Sequence, residues 1–206
     1  MIRLSMPPSR RSPLGLPGIL SLAALALNAC AWVGDQDPPP AQPSFYRSLA
    51  APGATLDALA AASMISGYRH NNGLPPVTLD PYLMTMAQDQ ARVMAARNVL
   101  NHSAGRGFQE RLKASGFDAT VAGENIGAGY YTLAEAFSGW RDSPPHRANM
   151  LLRGATRMGI GAAYAPGTKY KVFWSLVLAA PAGAQQQAEL GAPPPGAIRL
   201  DGAQSH

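Results

Sequence analysis

The chain has one cysteine, Cys30, which excludes an internal disulfide framework. Its stability must come from a packed core, even in an oxidising compartment. Acidic side chains are missing from residues 1–29, where Arg3, Arg10 and Arg11 precede the apolar run LGLPGILSLAALALNA. That run is too short to serve comfortably as a permanent bilayer span, so 1–29 reads as an export signal. The mature sequence also lacks a GxSxG nucleophile elbow and an HExxH metalloprotease helix, which removes the commonest sequence signatures of a hydrolase. Charge of one sign is scarce as well. The formal net charge of +5 comes from 17 basic and 12 acidic residues, and loss of the three signal arginines leaves 14 against 12, or +2. This excess is too small to argue for nucleic acid.

Cys30 closes the apolar run in LNAC, which resembles the lipobox of bacterial lipoproteins, with Asn28 an unusual member of the box. In that reading Cys30 is acylated, becomes the new N-terminus and anchors the protein to a membrane of the cell envelope. Cleavage after ACA instead would release a periplasmic or secreted protein. Residues 30–54, with GDQDPPPAQPS, read as a proline-rich tether, because consecutive prolines remove backbone donors and favour extended chain. Residues 181–206 lack apolar periodicity and read as a disordered tail. The folded domain is therefore expected over 55–180.

Within it, Leu56, Leu59, Met64, Ile65 and Tyr68 predict a first helix closing on Gly73. Asp80 followed by Pro81 opens a second, with Leu83, Met86, Ala87, Met94 and Ala95 as its apolar stripe and an end near Asn98. FQERLKASG predicts a short helix ending at Gly116. Thr132 with Glu135 three positions on predicts a capping box, with Phe137 and Trp140 as buried anchors. RMGIGAAY and YKVFWSLVLA, separated by APGT, predict an antiparallel hairpin whose second strand is covered on both faces.

Histidine is rare: His70, His102, His146 and His206. His70 reads as structural or solvent-facing, and His206 lies in the tail. His102 follows a predicted helix end in NHS, His146 precedes a predicted helix in SPPHRAN, and Glu124 lies between them in GENIG. Two imidazoles brought together can bind a borderline divalent ion such as zinc or exchange protons with a substrate. The alternative is structural: each histidine caps a carbonyl, and Glu124 pairs with an arginine such as Arg147.

The segments YRHNNGLPPVTLDPYLMTMAQDQARVMAARNVLNHS, GENIG, WRDSPPHRANMLLRGATRMGIGAAY and KVFWSLVLA, in that order, resemble the bacterial branch of the CAP superfamily. These are secreted proteins that also include plant pathogenesis-related proteins and animal venom allergens. The resemblance spans about 56–180 and implies an α+β fold, a three-layer α-β-α sandwich with a central antiparallel sheet. It also implies a cleft in which His102, Glu124 and His146 occupy the family positions, with Glu124 contributed from the intervening GENIG loop and His102 and His146 as metal ligands. A fourth family position, a glutamate three residues after a tryptophan, is Ser143 here, with Asp142 beside it. The function implied is a non-enzymatic cell-envelope binding module whose cleft holds a divalent metal and a small or lipid-like ligand. The other reading is a metal- or histidine-dependent hydrolase of peptidase or esterase type.

Overall fold

The computed structural model describes residues 41–183. The signal segment, Cys30 and residues 184–206 lie outside them. Helix α1 (Ala58–His70) is opened by Asp57, whose carboxylate accepts from the amide of Ala60 at 2.9 Å. Strand β1 (Thr78–Leu79) leads into α2 (Pro81–Arg97), where Asp80 caps the amides of Tyr82 and Leu83 and Pro81 fills the first turn. Asn98 ends α2 in the left-handed region, φ 52°, a conformation that asparagine tolerates better than most residues. Then follow α3 (Phe108–Ser115), β2 (Ala119–Ala128), α4 (Leu133–Asp142), α5 (Pro144–Met150), β3 (Arg157–Ala165) and β4 (Lys171–Pro181). The predicted capping box is present at the start of α4, between Thr132 and Glu135.

The sheet order is β1-β3-β4-β2. Strands β3, β4 and β2 pair antiparallel, and the two residues of β1 add to β3 in parallel at the edge. Strand β4 is buried along Val172–Ala180, and its alternation divides the core. Val177 and Ala179 pack with Leu83, Met86 and Ala87 of α2, and Phe173 packs with Met94. Val172, Trp174, Leu176 and Leu178 face the opposite layer, with Ile65 of α1, Trp140 of α4 and Met150 of α5. The result is the α-β-α sandwich that the family resemblance implies. Trp140 and Trp174 meet edge to face at 6.4 Å between ring centroids, and their indole N–H groups donate to the carbonyls of Ile126 and Tyr130.

Two glycines let α2 sit directly on β3. A Cβ at Gly159 would lie 2.1 Å from the carbonyl of Leu83, and one at Gly161 would lie 2.4 Å from the Cα of Gln88. The MGIG pattern therefore sets how closely helix and sheet approach.

Three sequence expectations change. The folded region begins before residue 55: Ser44–Tyr46 form a 3-10 turn, Leu49 is buried, and its amide donates to the carbonyl of Tyr131 at 2.7 Å. The apolar residues Phe45 and Leu49 pull the last part of the expected tether onto the core. Leu59, assigned to the inner stripe of α1, is 75% exposed, while Arg69 takes an inward position and is fully buried. GENIG, expected as a loop, is the middle of β2, held by pairing of Glu124 with Val177 and Ile126 with Ser175. Glycine, glutamate and asparagine are weak strand formers, and the pairing partner overrides that preference.

Candidate functional site

Strand β2 is an edge strand whose adjacent residues point to opposite faces. Glu124 faces the α2/α3 layer, and Asn125 faces α5. Each holds one histidine segment.

On the first face, the Glu124 side chain is 2% exposed and its carboxylate is fully engaged. His102 Nδ1 lies 2.8 Å from Oε2, Arg111 donates to both oxygens at 3.0 and 2.9 Å, and Ser175 donates to Oε1 at 3.1 Å. The forked Arg111 pair is the strong, directional kind. With the carboxylate ionised, His102 donates from Nδ1, which leaves the ring lone pair on Nε2. The His102 side chain is 51% exposed. Its backbone carbonyl is fixed from behind by Arg111 Nη2 at 3.0 Å and Gln90 Nε2 at 3.3 Å.

On the second face, Asn125 donates to the carbonyl of His146 at 2.9 Å. Asn149 donates to the carbonyl of Glu124 and to Asn125 Oδ1, both at 3.0 Å. A Cβ at Gly123 would fall 2.8 Å from Asn149 Oδ1, so glycine at the first position of GEN makes room for this bridge. His146 lies inside the first turn of α5, not ahead of it, because Pro144 and Pro145 occupy the first two helical positions. Its Nδ1 is 2.9 Å from Ser143 Oγ. Burial lowers the pKa of His146 below the usual histidine value, and the nearby His102 lowers it further.

The structure thus brings His102 and Glu124 into contact, sets Ser143 against His146, and places the two imidazoles within electrostatic reach. Asp142 departs from the expectation: it pairs with Arg141 at 2.8 Å on the exposed side of α4. Glu124 does pair with an arginine, but with Arg111 and not Arg147. Arg111 was missed, although a signal was present. In FQERLKAS, Phe108, Arg111 and Leu112 share one helical stripe, so a cation sits where an apolar residue belongs.

The donor set fits a divalent ion only in an open form. Among the described residues, no cluster of three or more histidine, cysteine, aspartate or glutamate side chains is arranged to hold a metal. Glu124 is consumed by its partners and fits the role of orienting His102, as carboxylates do behind metal-binding imidazoles. The two Nε2 atoms would be the protein ligands, leaving further positions for water or ligand oxygen, unlike a closed structural zinc shell.

This fold with its paired histidine segments belongs to a known group. Residues 62–178 match the model of the cysteine-rich secretory protein family, CAP, and the chain belongs to that family. The uncharacterized protein YkwD of Bacillus subtilis is 32% identical over 96 residues, covering 45% of this chain and 37% of the relative. An extracellular protein containing an SCP domain from Bacillus anthracis shares the fold with a TM-score of 0.53 at 23% identity, over 59% of this chain and 39% of that one. An outer surface protein from Borrelia burgdorferi aligns with a TM-score of 0.55 at 17% identity, over 61% of this chain and 92% of that one. The match therefore spans less than two fifths of the length of both Bacillus proteins.

Proposed function

We propose that the protein is a non-enzymatic binding module of the bacterial cell envelope. In this reading His102 and His146 hold a divalent ion, zinc being the best match for two imidazoles, and the ion's open positions receive an oxygen of a small or lipid-like ligand. The observation that carries it is the saturated Glu124 carboxylate. Four contacts occupy the lone-pair sites of its two oxygens, which leaves no free carboxylate to take a proton from a substrate. The same contacts fix the His102 ring with Nε2 outward.

Export through residues 1–29 and acylation of Cys30 complete the proposal. Among the described residues no helix is long and apolar enough to cross a membrane; the attachment proposed is the lipid on Cys30. Mass spectrometry of the native N-terminus tests this: diacyl or triacyl Cys30 is expected, and an unmodified Trp32 start would show release instead.

One observation favours the hydrolase alternative, the 2.9 Å approach of Ser143 Oγ to His146 Nδ1. A serine activated by histidine uses this contact, but the pair lies three residues apart at a helix start, where it forms locally. Incubation with peptide and ester libraries separates the readings. No turnover is expected; turnover abolished by Ser143→Ala would establish the hydrolase.

A further inference from the structure

The connection between α2 and α3 carries cations and no acid. From Gln90 to Gln109 the chain holds Arg92, Arg97 and Arg106 and neither aspartate nor glutamate. Asn98 turns the chain out of α2, and the two residues that follow, Val99 and Leu100, are 40% and 46% exposed. Singly, exposed apolar side chains are ordinary; an adjacent pair among cations is an amphipathic patch.

The turn between β3 and β4 extends that patch. Ala165 and Tyr170 pack on the cluster formed by Met94, Ala95, Ala104 and Phe173, which places the turn beside the end of α2. Lys169 and Lys171 are exposed there, and Lys169 lies over the Tyr170 ring at 5.4 Å. Among the described residues neither lysine has a carboxylate partner, nor does Arg97, which donates to the neutral carbonyl of Ala104. Arg106 has only Glu110, at 3.8 Å and largely exposed, while Asp89 is paired with Arg92 further back along α2. The described chain also enters the domain at this end. Leu49 donates to the carbonyl of Tyr131, two residues past Gly129, where a Cβ would lie 3.4 Å from the Tyr170 ring.

We infer that this end of the protein docks on an anionic phospholipid bilayer. Val99 and Leu100 enter the headgroup boundary, and Arg97, Arg106, Lys169 and Lys171 lie against the lipid phosphates. A polyanion without an apolar layer would leave the two hydrophobic side chains in water, and a neutral bilayer would leave four cations without partners. The docked stretch includes His102, so docking brings that ring close to the membrane surface. The inference requires neither a bound metal nor acylation of Cys30.

The test is hydrogen exchange of the full chain on vesicles of phosphatidylcholine with or without phosphatidylglycerol. Any attachment through the N-terminus that ignores lipid charge is common to both and cancels. Slowed exchange in residues 97–106 and 165–171 is expected only with phosphatidylglycerol, with residues 58–70 unchanged as the internal control. Val99→Ser with Leu100→Ser should abolish it while leaving unfolding curves unchanged. Lys169→Glu with Lys171→Glu should reduce protection of 97–106, on the other element, by at least about tenfold. The inference is overturned if neither segment is protected, if both vesicles protect equally, if either pair of replacements has no effect, or if soluble polyphosphate protects as well as the anionic vesicles do. Should a variant fail to fold, the comparison of the two vesicles and polyphosphate still decides the outcome.

Discussion

Arg111 and Glu124 form a buried pair in which each leaves the other stranded if removed. Replacement of Arg111 by methionine deserts a carboxylate that is 2% exposed, and we expect a loss of about 3 kcal/mol in urea unfolding. Adding Glu124→Gln to that variant should recover part of the loss, since the uncompensated charge is gone; a double variant no more stable than Arg111→Met would contradict the pairing argument. His146 supplies a pH dependence of definite sign. Its native pKa lies below the ordinary value of 6.5, so between those two values the unfolded chain binds more protons than the folded one. Stability is then full above 6.5 and falls as the pH drops through the lowered native value. His146→Asn should flatten that part of the acid limb, measured as the difference between the two proteins' unfolding free energies across the range. At this scale the sequence told only part of the site. His102, Glu124 and His146 stood out because each is a rare or charged residue in a polar cluster. Asn125 and Asn149 did not, because their importance lies in bridging two segments that are 24 residues apart.

Helix α2 is the element most openly written in the sequence, since stripe, cap and stop all agree there. Asp80→Ala should cost about 1 kcal/mol through loss of the cap, and Asn98→Gly should be neutral or slightly stabilising, because glycine adopts φ 52° without strain. Chemical denaturation of both variants checks the pair. The contact of α2 with β3 is less forgiving. Gly159→Val places a branched side chain where a Cβ already meets the Leu83 carbonyl, and we expect more than about 3 kcal/mol of destabilisation or no soluble protein. A well-folded Gly159→Val variant of near wild-type stability would refute that close approach. Strand β2 was the element that local sequence concealed: its glycines and polar residues suit a loop, and only pairing with β4 makes them a strand. The Arg69 side chain is similar. It lies fully buried without a carboxylate, held by the carbonyls of Pro75, Met150, Leu152 and Ala155, and no periodicity argument distinguishes it from an exposed arginine.

At the scale of the molecule, a sandwich without disulfides presents two histidine segments from opposite faces of one edge strand. The layers were legible because β4 is apolar on both faces and the helices carry clear stripes. The convergence around β2 came from the family resemblance alone, because the spacing between His102, Glu124 and His146 says nothing of which face each residue occupies. We propose that the two imidazoles act together as ligands while Glu124 only orients one of them. Zinc titration of untagged protein, followed by calorimetry, tests it most directly. We expect one ion per wild-type chain, none for His102→Ala or His146→Ala, and affinity weakened about 10- to 100-fold for Glu124→Gln. Equal zinc binding by wild type and both alanine variants, or none by any of them, would contradict it.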